Sequence, residues 1–301
     1  NGLTPNENKY DPYFLLTESA LWSAKMKGSA AAGTMQIVNR TEFSELKTWL
    51  PSLIEQQAIG AFFKQLDHLI TLHQRKYDKL VMSKKSMLEK MFPKNGQTKP
   101  EIRFSGFIDD WEQRKLGELG SLKNGMNFSK KAMGIGFPFV NLQNIFGNNV
   151  IDVSNLGKAM ASDSQLKDYN LLNGDVLFVR SSVKLEGVGE AALVPQTLDN
   201  TTYSGFIIRF RDEYGLDNNF KRFVFGIESV RNQIMSQATN SANKNISQSV
   251  LENLELAIPS KSEQQKIGAY FSNLDHLITL HQRELEKLKK IKLSMLEKMF
   301  V

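Results

Sequence analysis

The sequence has 301 residues, 41% of them hydrophobic and 23% charged, a balance typical of a globular protein with room for two domains. It contains no cysteine, which excludes disulfides and cysteine-ligated zinc and fits a reducing cytoplasm. No stretch approaches the roughly 18 consecutive apolar residues of a membrane span, so we expect no membrane partner. A net charge of +6 favours a polyanionic partner without identifying one.

Residues 1–50 are related to a segment 208 residues further along the chain. NRTEFSELKTWLP (39–51) overlies SQSVLENLELAIP (247–259), and residues 11–30 fall near a predicted helix at 217–238. We therefore expect residues 1–50 to be the C-terminal remnant of a first domain that begins well before Asn1. The run Asp11-Pro12-Tyr13-Phe14 is similar to the D/N-P-P-Y motif of adenine methyltransferases but lacks one proline, and a helix start is the favoured interpretation.

Residues 51–92 return as residues 259–300, with 29 of 42 positions identical. Each copy opens with a proline and an S-x-x-E spacing, which predicts a capped helix start. Apolar residues then recur at alternating steps of four and three, which predicts the seam of a coiled coil. The seam residues at the start of the two helices are Ile59, Phe63, Leu66, Ile70, Ile267, Phe271, Leu274 and Ile278. We expect the two helices, at 51–93 and 259–301, to pair antiparallel about an approximate two-fold axis.

Residues 94–258 read as a second domain. Asn95-Gly96 predicts a turn after the first long helix. Short apolar strands are predicted at 137–142, 175–181, 190–195 and 204–210, with one helix at 217–238.

These features together resemble the specificity subunits of type I restriction–modification enzymes. The resemblance rests on the repeated P-x-x-x-EQQ-x-I helix and on P-E-I-R-F-x-G-F-x-x-x-W-x-x-x-x-L-G-E-L at 100–119. The run GDVLFVRSS (174–182) also resembles a segment of their target-recognition domains. The chief departure from the family pattern is the incomplete first domain.

The resemblance implies an α+β fold, in which α/β target-recognition domains are flanked by two long helices paired as an antiparallel coiled coil with pseudo-two-fold symmetry. It implies a non-catalytic subunit that reads a split sequence in double-stranded DNA and positions two methyltransferase subunits, with a restriction subunit in the full complex. S-adenosylmethionine would then be bound by the methyltransferase partners, ATP and magnesium by the restriction subunit, and no cofactor by this chain.

No catalytic residue and no metal site is predicted. The four histidines (His68, His73, His276 and His281) lack the carboxylate of an H-E-x-x-H zinc site, and His73 and His281 fall on the seam, where a polar residue can fix register. The glycine pairs at 134–136 and 187–189 are too short for a dinucleotide fingerprint.

DNA contacts are expected from polar and basic residues in loops, because amide and guanidinium groups read bases and cations meet phosphates. Two clusters stand out, at 180–184 and in the amide-rich stretch 236–249. The full set of predicted DNA-binding residues is Lys25, Lys27, Gln36, Lys123, Asn124, Lys130, Asn141, Gln143, Arg180, Ser181, Ser182, Lys184, Asn240, Asn243, Lys244 and Asn245.

Two other hypotheses remain. A coiled-coil scaffold or dimerisation protein would bind its partner with little salt dependence and would not bind DNA. A fused restriction–methylation enzyme is disfavoured because no catalytic motif survives inspection.

Overall fold

The computed structural model describes residues 5–6, 8–29, 41, 44, 47–94, 96–239 and 241–300, with the backbone alone for 23–29. The chain divides into two compact units, residues 1–82 with 276–301 (the first unit) and residues 83–275 (the second unit). The division cuts both long helices, whereas the sequence suggested that each helix was a separate segment at 51–93 and 259–301. The reason is that the two ends of each helix pack in different hydrophobic cores.

The helices are α1 (Pro12–Ser29), α2 (Leu53–Lys90), α3 (Leu116–Leu119), α4 (Asp163–Asp168), α5 (Asn218–Val224), α6 (Glu228–Ser236), α7 (Gln248–Glu252) and α8 (Lys261–Met299). The long helices α2 and α8 are the two copies of the repeat and begin where the S-x-x-E spacing predicts. Ser52 and Ser260 each accept a hydrogen bond from the backbone N–H three residues on, at 3.4 Å.

An aromatic trio forms the centre of each core. In the first unit, Phe14 of α1 and Phe63 of α2 lie 5.0 and 5.8 Å from the ring of Phe300, which follows α8. The second unit repeats the arrangement with another trio at 5.7 and 6.2 Å, formed by Phe220, Phe271 and Phe92. Each long helix therefore contributes its start to one core and its end to the other.

A second repeated contact attaches a shorter helix to the start of each long one. Asp11 caps α1 by accepting from the Phe14 N–H at 2.8 Å, and its own N–H donates to Gln56 Oε1 at 3.1 Å. Asp217 caps α5 in the same way, and its N–H donates to Gln264 Oε1 at 2.9 Å. The expected helix start at Asp11 is confirmed, although its partner position is Asp217 rather than Asn219.

Glycine is required where these helices meet. A Cβ at Gly60 of α2 would lie 2.3 Å from Asp11 Oδ1, and a Cβ at Gly268 of α8 would lie 2.7 Å from the Phe220 backbone nitrogen. These separations are shorter than any van der Waals contact, so a side chain at either glycine would push the short helix away.

Polar contacts between α2 and α8 run antiparallel within each unit. In the first unit, His73 and His281 meet with their Nδ1 atoms 3.1 Å apart, and Lys292 donates to Asp67 at 2.5 Å. In the second unit, Lys84 donates to Asp275 at 2.5 Å.

The predicted seam residues line these cores. Five of them are buried, namely Ile59, Phe63, Leu66, Ile267 and Phe271, and three are half-buried, namely Ile70, Leu274 and Ile278. Phe63 and Phe271 also pack beside the shorter helices α1 and α5. The contacts are thus antiparallel as expected, while coiled-coil geometry stays a prediction.

The strands all lie in the second unit. They are β1 (Glu112–Lys115), β2 (Gly120–Asn124), β3 (Met133–Val140), β4 (Gly157–Ala159), β5 (Val176–Val179), β6 (Ser181–Ser182), β7 (Ala191–Leu193), β8 (Thr202–Tyr203), β9 (Ile207–Asp212), β10 (Lys244–Asn245) and β11 (Glu255–Ile258). The four predicted strands correspond to β3, to β5 with β6, to β7 and to β9.

The strands form four small sheets in the orders β2-β9-β5-β7, β4-β3-β8, β1-β11 and β10-β6. Pairing is antiparallel except between β3 and β8. The central strand β5 is buried at every position, with Leu177 and Val179 in one core and Val176 and Phe178 in the other. Such a mixture of segregated helices and mainly antiparallel strands is an α+β architecture.

The single helix predicted at 217–238 is two helices, α5 and α6. The break falls at Gly226, whose N–H donates to Phe223 O at 3.0 Å in a tight turn. Glycine is a poor former of helix interiors, and here the turn lets both Phe225 and Ile227 reach the core.

The R-F-x-G-F…W segment closes the second unit. Arg103 forms a bidentate pair with Glu263 of α8 at 2.7 and 2.8 Å, and the Glu263 carboxylate is 1% exposed. Trp111 lies in the core with its ring edge 5.9 Å from Phe92. The segment then enters β1, which pairs with β11 immediately before α8.

Candidate nucleic-acid interface

The structure brings the two principal predicted clusters together. Strands β6 and β10, some sixty residues apart in the chain, pair antiparallel, with Lys244 opposite Ser182 and Asn245 opposite Ser181. The pairing continues at one end, where Ile246 N–H donates to Arg180 O at 3.0 Å. Two loops selected only for their polar composition therefore form one two-stranded ribbon.

The ribbon is held to the central sheet through its arginine. The Arg180 N–H donates to Phe206 O at 2.8 Å, and the guanidinium Nη1 reaches Gly205 O at 3.4 Å. Strand β5 precedes Arg180 directly and is fully buried. The ribbon is thus a polar extension of a rigid strand, which limits the positions that its side chains can adopt.

Amides and hydroxyls of the ribbon satisfy one another. Asn245 donates from Nδ2 to Asn243 O at 2.8 Å, and its N–H donates to Thr239 Oγ1 at 3.0 Å. The Lys244 ammonium donates to Ser241 O at 2.9 Å. Lys184 is exposed, and Ser182 Oγ accepts from its backbone N–H at 3.2 Å. The Lys184 ammonium therefore extends into solvent, where a phosphate could meet it.

A groove of about 560 Å³ runs beside the ribbon. It is lined by both ribbon strands and by exposed apolar side chains, including Phe206 at 58%, Val183 at 78% and Phe146 at 38% exposure. Sequence reasoning missed these residues. The signal that could have found Phe206 is its place after Ser204-Gly205 at the start of a strand otherwise buried, since Ile207 and Ile208 are 0% exposed.

Acidic groups near the groove are tied to its framework. Glu190 accepts from the Gly147 N–H at 2.9 Å, and Glu186 O accepts from Arg231 Nη2 at 2.7 Å. Burial lowers the pKa of Arg231, and the charge of Glu190 partly opposes that effect. Arg231 therefore supports the loop that follows β6 and does not face solvent as a free cation.

The other predicted residues lie outside the ribbon. Lys123 is on β2, where its ammonium donates to Asp168 O at 3.0 Å and lies 4.5 Å from the Tyr169 ring centre. Asn141 caps a short turn by accepting from the Leu142 N–H at 2.8 Å, so part of its amide already serves the fold. The exposed members of this set are Asn124, Lys130 and Gln143.

Four predicted residues cannot be placed on the interface. The side chains of Lys25 and Lys27 in α1, and the whole of Gln36 and Asn240, lie outside the described residues.

The histidines form no metal centre with neighbouring ligands. Within the described ranges, no group of three His, Cys, Asp or Glu side chains could hold a metal ion. His68 and His276 are exposed, and His73 contacts His281. The pKa of His281 is lowered by burial, then by the charges of His73 and Lys76. In the same described ranges, no helix is long and apolar enough to cross a membrane.

Comparison with known proteins identifies a family. The model of the type I restriction modification DNA specificity domain matches residues 1–82 and 108–290. The MjaVIII type I specificity subunit of Methanocaldococcus jannaschii is 23% identical over 299 residues, covering 94% of this chain and 68% of that protein. The EcoKI specificity subunit of Escherichia coli is 23% identical over 257 residues, covering 83% and 55%. The chain thus spans little more than half of the EcoKI subunit.

Solved structures agree on the fold. The HsdS subunit from Thermoanaerobacter tengcongensis has a TM-score of 0.55 at 18% identity, over 99% of this chain and 72% of that one. The type I S subunit from M. genitalium has a TM-score of 0.54 at 16% identity, over 98% and 74%. With the family model matching most of its length, the chain belongs to the type I restriction–modification DNA specificity family.

Proposed function

We propose that residues 94–258 read one part of a split target in double-stranded DNA, and that the ribbon of β6 and β10 carries the reading residues. The observation behind this proposal is the pairing of the two clusters beside an exposed groove. The major groove of DNA admits a two-stranded β-ribbon, and arginine and asparagine make bidentate contacts to guanine and adenine there.

Each ribbon side chain has a role suited to its chemistry. Arg180, Asn243 and Asn245 would face base edges, and the ammonium groups of Lys184 and Lys244 would meet phosphates. Phe206 is an apolar contact for a thymine methyl group or a base face. The chain needs no cofactor for these contacts, and we expect it to act in the cytoplasm, where chromosomal DNA is its substrate.

The test compares single alanine variants on a DNA pool with randomised positions. We expect Arg180→Ala to cost about 1–3 kcal/mol and to relax preference at one position, because a base contact is lost. Lys184→Ala should weaken all sequences alike and reduce the salt dependence of binding. Lys115→Ala, an exposed lysine on β1, is the matched control. Unchanged affinity in both ribbon variants would contradict this interface.

The long helices are proposed to position methyltransferase subunits. Leu69 and Leu72 of α2 are exposed by 42% and 38%, and their repeat equivalents Leu277 and Leu280 of α8 by 40% and 45%. Two equivalent apolar pairs in the first unit suit two copies of one partner. S-adenosylmethionine would be held by those partners, and ATP with magnesium by the restriction subunit.

Paired substitutions test this role. Leu72→Asp with Leu280→Asp should abolish co-purification with the methyltransferase encoded beside the chain, while DNA-ribbon variants should not. The exposed control is Thr71→Asp on the same helix turn. A scaffold without DNA reading would instead keep its partner, show no DNA enrichment and bind with little salt dependence.

A further inference from the structure

The start of α8 is covered by the R-F-x-G-F segment of its own unit. Arg103 forks onto Glu263, and the Phe104 ring meets Tyr270 edge-on at 6.0 Å. The same segment continues into β1, which pairs with residues 255–258. Residues 103–115 thus make three contacts at once: an ion pair, an aromatic pair and a strand pair.

The repeat places the same acceptor groups at the start of α2, in the first unit. Glu55 is the equivalent of Glu263, and Phe62 is the equivalent of Tyr270. Residues 47–50 are the equivalent of the strand at 255–258. We call residues 47–50 with Glu55 and Phe62 the acceptor surface.

The acceptor surface is uncovered. Glu55 is exposed, whereas Glu263 is 1% exposed, and Glu55 has no ion-pair partner in the described part of the chain. Phe62 is 39% exposed, and Trp49 reaches 87%. Residues 47–50 belong to no strand among those described.

The rest of this helix start is fully assembled. Gln56 is 2% exposed and binds both Asp11 N–H and Pro51 O, as Gln264 binds Asp217 N–H and Pro259 O. The two helix starts therefore differ only where one receives residues 103–115. An exposed tryptophan beside an unpaired extended segment is the composition of a surface that another chain covers.

We propose that the acceptor surface binds an R-F-x-G-F segment supplied by a separate polypeptide. Its arginine forks onto Glu55, its aromatic residue packs against Phe62, and its following strand pairs with residues 47–50. The chain's own copy of this segment is already engaged, because Arg103 is held by Glu263 and Trp111 is 2% exposed. The inference concerns assembly and stands independently of DNA reading.

The probe is a fluorescent peptide with the sequence of residues 97–119, added to the full chain and followed by fluorescence anisotropy. We expect saturable binding that Glu55→Gln weakens about ten- to hundredfold, since a charge-assisted bidentate contact is lost. Glu286→Gln, at an exposed carboxylate of α8, is the control and should bind as the parent chain does. Hydrogen exchange should show new protection at 47–62.

A charge reversal separates specific docking from displacement of the chain's own segment. Glu55→Arg should reject the parent peptide and accept a peptide carrying Arg103→Glu. Absence of binding, or binding that Glu55→Gln leaves unchanged, would overturn the proposal. So would a Glu55-dependent dimer formed without peptide, because a second copy would then be the occupant.

Discussion

The two units are built from one repeated helix sequence, and comparing them separates what that helix encodes from what it receives. Both have the aromatic trio, the captured aspartate and the close-approach glycine. They differ in the partner of the first-turn glutamate, which is Arg103 for Glu263 and none described for Glu55. The comparison teaches that the repeat is sufficient to assemble each core, whereas the cover of each helix start comes from a separate stretch of sequence.

The largest expected effect comes from emptying one aromatic trio at a time. Phe63→Ala and Phe271→Ala should each cost about 3–5 kcal/mol, because both rings are 0% exposed and leave a cavity. Hydrogen exchange should show the loss of protection in the first unit for Phe63→Ala and in the second for Phe271→Ala. Uniform loosening of both units by either change would break the comparison.

The glutamate difference predicts unequal sensitivity to losing the arginine. Arg103→Ala should cost about 3 kcal/mol in the second unit, because it strands the buried carboxylate of Glu263. Glu55→Gln should change stability by less than about 0.5 kcal/mol, as at other exposed sites. Denaturant unfolding with hydrogen exchange at 101–119 measures both, and Arg114→Ala, which removes the exposed pair with Glu112, is the control.

The equivalent ion pairs sharpen the comparison further. Each is partly exposed, so Lys84→Met and Lys292→Met should cost at most about 1 kcal/mol. Lys84→Met should cost less, because Asp275 keeps Arg222 at 3.4 Å as a second cation. Asp67 would keep only the Tyr13 hydroxyl, at 2.9 Å, among its printed neighbours. Equal losses in urea unfolding would show that Arg222 does not compensate.

The smallest effect is a pH dependence at the histidine contact. The pKa of His281 is lowered in the folded chain, so the unfolded chain takes up the proton first as the pH falls below about 6.5. Stability should therefore decrease from that pH down to the folded pKa, and His281→Gln should remove this dependence. Unfolding at several pH values measures the effect, with His276→Gln as the exposed control. An unchanged slope in His281→Gln would assign it to other groups.

Much of the framework could be predicted from sequence because it is encoded locally. The repeat located α2 and α8, and the 3.5-residue spacing selected Phe63 and Phe271, which are fully buried. The helix at 217–238 was only partly right, since spacing alone does not show that Gly226 ends one helix and lets the next begin.

The site was predictable in composition but not in arrangement. The clusters at 180–184 and 243–245 were chosen for their polar residues, yet their pairing depends on the whole intervening domain. Phe206 was missed because an aromatic residue beside a buried strand reads as core. Asn141 has the composition of a base reader, but its amide caps a turn, which only the backbone geometry reveals.

The paired glycines have a consequence for engineering. Since Gly60 and Gly268 receive the same aspartate-capped helix start, the two sockets are interchangeable parts. A tetrapeptide graft that places Asp-Asn-Asn-Phe of 217–220 at 11–14 should seat without redesign of α2. A chimaera that carried a larger residue at either glycine would fail at the socket, however well its two helices propagate.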